Sequence, residues 1–97
     1  RYGLGSVHRN LMRCHQALDQ HADAIVHAEA AIRLYEGESP ANEAHVRAQS
    51  ADSYHLLGDD GRRQATLERA RDLLAAMSGG REEDRALLAR LIAQLAA

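Results

Sequence analysis

Arg9, Arg13 and Gln16 fall at i, i+4 and i+7, so on a helix they share one face, with Asn10 beside them. His45, Gln49 and Asp52 repeat that spacing further along the chain, and His55 adjoins them. Two guanidinium groups one helical turn apart can fork a carboxylate through charge-assisted hydrogen bonds. A face of this kind either holds a ligand or is simply solvated, and the spacing alone leaves both open.

The remaining reactive side chains point away from catalysis. There are six histidines, but no two stand three or four residues apart, the spacing that puts two metal ligands on one helix face. His8 and His15 are seven apart, about 10.5 Å along a helix, too far to share one ion. Cys14 is the only cysteine, so no internal disulfide can form, and a reducing compartment fits. It sits at helical spacing with Val7, Leu11 and Leu18, which predicts a buried structural thiol. No G-x-S-x-G, phosphate-cradling glycine loop or Cys-His pair with a third member occurs. Asp59-Asp60 reads as a capping turn and Gly79-Gly80 as a helix stop. The expectation is a non-catalytic chain with no cofactor and no metal.

These residues must be positioned by helices. The chain has 97 residues, three tyrosines, no Phe and no Trp, and alanine and leucine dominate its apolar content. That mixture favours helix over sheet, and no alternating stretch argues for a strand. Ser6 reads as the cap of a first helix over roughly 7–18 with the stripe Val7, Leu11, Cys14, Leu18. Further helices are expected over roughly 22–36, 40–57, 61–77 and 81–96, punctuated by Gly37, Ser39-Pro40, Gly58, Asp59 or Asp60, and the SGG at 78–80. The second helix carries a narrow apolar face of Ala24, Ala28 and Ala31 with Ile25, Ile32 and Tyr35, which lets helix axes approach closely. Net charge is −2 with histidine neutral, so no bulk charge calls for nucleic acid. No apolar run is long enough for a membrane span and no signal peptide is visible, so a cytoplasmic setting is expected.

A repeat runs through the chain. Ala31 and Ala70 lie 39 positions apart, and the same offset sets Met12 on Ala51, His15 on Tyr54, Leu18 on Leu57, Ala28 on Leu67 and Leu34 on Leu73. Each unit is a helix, a short turn and a second helix with a late small residue. In the second unit these residues are Ala51, Tyr54, the turn Leu57-Gly58-Asp59, and Ala70; in the first they are Leu11, Ala24, Ala31 and Leu34. This pattern resembles the tetratricopeptide repeat family. The resemblance spans residues 6–77. It departs from the family in its length, the usual repeat being about 34 residues, in Arg63 where the family has an alanine, and in His8 and Arg47 where an early aromatic is common.

The resemblance implies an all-α, right-handed antiparallel helix-hairpin array, an α-solenoid. Residues 1–5 would be a leader or cloning remnant, 6–37 and 38–77 two units, and 78–97 a terminal helix that caps the array or begins a third unit. It also implies a concave groove lined by first helices, which here would present Arg9, Arg13, Gln16, His45, Gln49, Asp52 and His55 to a peptide, an acidic one by charge. The histidines would add positive charge as pH falls through about 6.5. The implied function is protein interaction, as a scaffold or regulatory domain of a longer intracellular protein, with a bacterial transcriptional or signalling regulator as the suggested parent. Two alternatives stay open: a small-molecule or enzyme pocket between helices, and an oligomerisation domain. Leu87, Leu88, Leu91, Ile92 and Leu95 form a terminal-helix face wider than one neighbour needs, which another copy or further sequence of the parent protein could cover.

Overall fold

The computed structural model describes residues 2–97. Five helices occupy them: α1 (Tyr2–Ala17), α2 (His21–Tyr35), α3 (Pro40–Leu56), α4 (Asp60–Ala75) and α5 (Glu82–Ala96). No strand occurs among the described residues. The chain is all-α. Connections of three to six residues reverse its direction, so each helix packs mainly on its neighbours in sequence. The result is a slab of 36 × 34 × 19 Å, about two helix diameters thick.

Local chemistry explains most boundaries. Ser39 Oγ accepts from the Asn42 N–H and Pro40 opens α3, where its missing N–H costs nothing. Asp59 caps α4 by accepting from the Arg62 N–H at 3.1 Å. Gly37 and Gly58 take φ of 76° and 77°, the left-handed values that end α2 and α3.

The first helix departs from expectation. It starts at Tyr2, so Ser6 is an exposed residue inside the helix and not its cap, and positions 2–5 are helical; Arg1 lies outside the described residues. The predicted stripe is on the wrong side. Val7 is 50% exposed, Leu11 38% and Leu18 66%, and Cys14 is exposed as well. The side that faces α2 carries Gly5 and Met12, both buried, with His8 and His15 half-buried beside them.

The alanine face of α2 explains this choice. Ala24, Ala28 and Ala31 are buried and form one cluster with Met12 of α1, Val46 of α3 and Tyr35. Small residues on α2 bring both neighbours close, and the long Met12 side chain fills the space between them. At the end of the pair, Tyr35 lies where a side chain at Gly5 would stand: a Cβ there would come within 2.6 Å of its ring. A second cluster joins Ala44, Ala51, Leu67, Ala70, Leu74, Leu87 and Leu91 across α3, α4 and α5. On α5, Leu87 and Leu91 are buried and Leu88 and Leu95 half-buried, while Ile92 is 52% exposed. Most of the face expected to seek another copy is therefore packed within the chain.

The 39-residue offset reappears in burial. Gly5 and Ala44, Met12 and Ala51, Ala28 and Leu67, Ala31 and Ala70, and Tyr35 and Leu74 are pairs in which both members are buried. Within this register, Gly5 opposite Tyr35 becomes Ala44 opposite Leu74: where the facing side chain is larger, the helix residue is smaller.

Candidate functional site

Polar side chains stitch the odd-numbered helices together. Arg9 Nε donates to Gln49 Oε1 at 3.0 Å, linking α1 to α3. Gln16 Nε2 donates to the Gln49 carbonyl at 2.8 Å and to Ser53 Oγ at 3.1 Å. Ser53 is fully buried and lies within 2.9 Å of His21 Nδ1 as well. No buried side-chain nitrogen or oxygen among the described residues lacks a hydrogen-bond partner. His45 Nε2 donates to Asp84 Oδ1 at 2.8 Å, linking α3 to α5.

A groove of about 500 Å³ opens between α1 and α3, lined by Ser6, Arg9, Asn10, Arg13 and Gln49. Helical geometry puts the α1 residues there: positions 6, 9, 10 and 13 fall on one third of the helix, between the side facing α2 and the exposed apolar side. Arg9 spends one N–H on Gln49 and keeps its terminal nitrogens. Among the described residues, no carboxylate forms an ion pair with Arg9 or Arg13. Two guanidinium groups thus stand in a groove without counter-charges, the arrangement that receives an anion.

The seven residues predicted from spacing and resemblance divide. Arg9, Arg13 and Gln49 line the groove, and Gln16 holds α3 beside it. His45 and His55 do not serve it. His45 is committed to the buried Asp84, and His55 Nδ1 pairs with Asp60 Oδ1 at 3.1 Å in the α3–α4 turn. Neither imidazole lines the groove, so the expected gain of groove charge at low pH loses its basis. Asp52 is exposed and enters no ion pair among the described residues. Ser6 is a groove residue that sequence reasoning missed, because it read as a cap. Its spacing of three, four and seven from Arg9, Asn10 and Arg13 was the available signal.

The Asp84 carboxyl is held below the usual carboxylate range. The hydrogen bond from His45 is the main cause, helped by the Arg81 N–H at 3.2 Å and by the charges of His45 and Arg81, against burial, which acts the other way. Asp84 is the third residue of α5, and Glu43 is the fourth of α3. Both are buried acids in a first turn, and Glu43 pairs with Arg47 at 2.8 Å.

A second cleft, of about 320 Å³, lies between α2, α3 and α4. Arg33, Arg47 and Arg62 line it with Glu29, Tyr54 and Thr66. Two of these arginines are already neutralised, Arg47 by Glu43 and Arg62 by Asp59 at 3.4 Å. Burial raises the Tyr54 phenol above its ordinary pKa, and the nearby Glu29 carboxylate adds to this, so the hydroxyl stays protonated and can donate.

Three imidazoles also meet at the α1–α2 contact. His27 stacks between His8 and His15, with ring centroids 5.3 and 5.2 Å away, and its Nδ1 lies 3.0 Å from that of His8. One ring of that pair donates and the other accepts. Among the described residues no group of three or more His, Cys, Asp or Glu side chains converges as a metal site would require. No helix there is long and apolar enough to cross a membrane.

No known family model matches this chain, and neither does any curated protein or solved structure.

Proposed function

We propose that the chain is a non-catalytic protein-interaction module, a tetratricopeptide-like array of helical hairpins whose α1–α3 groove takes an acidic peptide segment. A Glu or Asp side chain, or a terminal carboxylate, would be forked between Arg9 and Arg13, with Ser6, Asn10 and Gln49 offering hydrogen bonds to the peptide backbone. The observation that carries this reading is the pair of arginines in the groove without a carboxylate partner. Support for the array comes from the recurrence of buried positions at the 39-residue offset. The second cleft favours a ligand less, because carboxylates of the chain already occupy two of its three arginines.

The test is fluorescence anisotropy with a labelled oligoglutamate peptide, comparing the parent with Arg9→Ala and Arg13→Ala. Loss of a hydrogen bond between charged groups is expected to weaken binding about ten-fold in each variant. Binding by the parent should also fall with added salt. Equal affinity in parent and both variants would reduce the groove to a solvated surface.

A further inference from the structure

Each odd helix after the first buries one stripe of side chains against the helix that precedes it. On α3 the stripe is Val46, Ser50 and Ser53, all buried; Val46 lies in the alanine cluster of α2, and Ser53 meets His21. On α5 it is Leu87 and Leu91, both buried in one cluster with Leu67, Ala70 and Leu74 of α4. Val46 and Ser50 follow the buried acid Glu43 by three and seven residues, and Leu87 and Leu91 follow the buried acid Asp84 by the same steps. The offset from α3 to α5 is 41 residues and not 39, because the link at 76–81 is two residues longer than the link at 36–39. Carried back to α1, both stripes land on Val7 and Leu11. These two are exposed, and so are Leu4, Cys14 and Leu18, which extend the same stripe.

We propose that the α1 stripe is the docking face of a further helical hairpin, whose second helix lies antiparallel on α1 as α2 lies on α3 and α4 on α5. The two internal contacts specify this occupant. In both, the covering helix meets the stripe with small or aliphatic side chains: Ala24, Ala28 and Ala31 on α2, and Leu67, Ala70 and Leu74 on α4. The contact of α5 with α4 is the nearer precedent, because its stripe is leucine, as at Leu11. Leu4 stands where α3 and α5 carry their buried acid, so the helix on α1 needs no polar partner along this line. The far end of the array obeys the same register. Ile92 is 52% exposed and falls at the position of Ala51 and Met12, on the side by which α3 and α1 pack on the helix that follows each. A unit of an array contacts only its neighbours, so an end helix presents the stripe that one more unit would cover. Arg9 and Arg13 line the α1–α3 groove and take no part in this contact. The inference rests on the array reading and not on the groove, whose peptide binding is measured separately on the chain alone.

An extended chain tests this: residues 38–81 joined directly to residues 2–97, so that a copy of α4 precedes α1 through the link by which it precedes α5. The reporter is the thiol introduced by Val7→Cys in a Cys14→Ser background; residues 38–81 contain no cysteine, so no other thiol is present. Its reaction with dithionitrobenzoate is expected to slow at least ~10-fold from the chain alone to the extended chain, since a covered thiol reacts only when the contact opens. Leu11→Cys in the same background should behave alike, and it replaces Val7→Cys if circular dichroism shows that variant to lose helix. Ile92→Cys, at the far end, should react equally in both chains. Equal rates for Val7→Cys and Leu11→Cys in the two chains would overturn the inference, as would slowing of Ile92→Cys by the same factor. Protection in the chain alone that grows with protein concentration would assign the stripe to a second copy and overturn it as well.

Discussion

Helices α1 and α3 occupy the same place in the 39-residue register but meet different neighbours. Gly5 and Met12 of α1 pack on α2 as Ala44 and Ala51 of α3 pack against α4. The next third of α3 is covered by α2, and there the chain uses one valine, two serines and an ion-paired glutamate: Val46, Ser50, Ser53 and Glu43. The same third of α1 is uncovered and carries larger apolar side chains: Leu4, Val7, Leu11 and Cys14. Burial therefore does not follow hydrophobicity here. A close helix contact selects small side chains and tolerates hydroxyls that find acceptors, as Ser50 Oγ does by donating to the Arg47 carbonyl at 2.8 Å. An open face retains its bulk.

Enlarging the closest contacts should break the comparison most severely. Ala31 and Ala70 are both fully buried at the offset of 39. Ala31→Leu and Ala70→Leu should each cost about 1–3 kcal/mol by overpacking. Thermal or urea melts that leave either variant as stable as the parent would separate the two units. A sharper, smaller test uses the matched valines. Val46→Ala should cost about 1–2 kcal/mol, for two methyl groups removed from a buried site. Val7→Ala, the same change at the equivalent exposed position, should fall within about 0.5 kcal/mol. Equal losses at both positions would mean that α1 is covered on that side in solution.

The smallest effect expected concerns acid. The native carboxyl of Asp84 titrates below the unfolded value, which lies near 3.9. Its contribution to stability is therefore complete above that value and disappears as pH falls through the lower native one. Melting temperature should decline below about pH 4, and Asp84→Asn should flatten that decline after an initial loss at neutral pH. An unchanged acid slope in Asp84→Asn would show that the link from α3 to α5 does not depend on the ionised carboxylate.

The helices after the first were legible because their punctuation is chemical. Ser39-Pro40, Asp59, Gly37 and Gly58 each satisfy or end a helix by a local rule, and the structure places all four as expected. The start of α1 was not legible, since a serine before an apolar stripe looks the same whether it caps a helix or lies inside one. The side of α1 that turns inward was not legible either. Periodicity identifies an apolar face, but whether that face is covered depends on which neighbour exists, and among the described residues of α1 Met12 alone joins the cluster of the α2 alanines. In the groove, Arg9, Arg13 and Gln49 were readable from helical spacing. The diversion of His45 to Asp84 joins residues 39 apart, and no local pattern signals a contact of that range.

The central claim is that the α1–α3 groove, with its unpaired guanidinium groups, is where this chain meets a partner. The most direct measurement is an NMR titration of ¹⁵N-labelled protein with an oligoglutamate peptide, following the arginine Nε–H and glutamine side-chain signals. Arg9, Arg13, Gln16 and Gln49 are expected to shift together and saturably, while Arg33, Arg47 and Arg62 of the other cleft stay fixed. Shifts confined to Arg33, Arg47 and Arg62, or no saturable shift at Arg9 and Arg13, would contradict it.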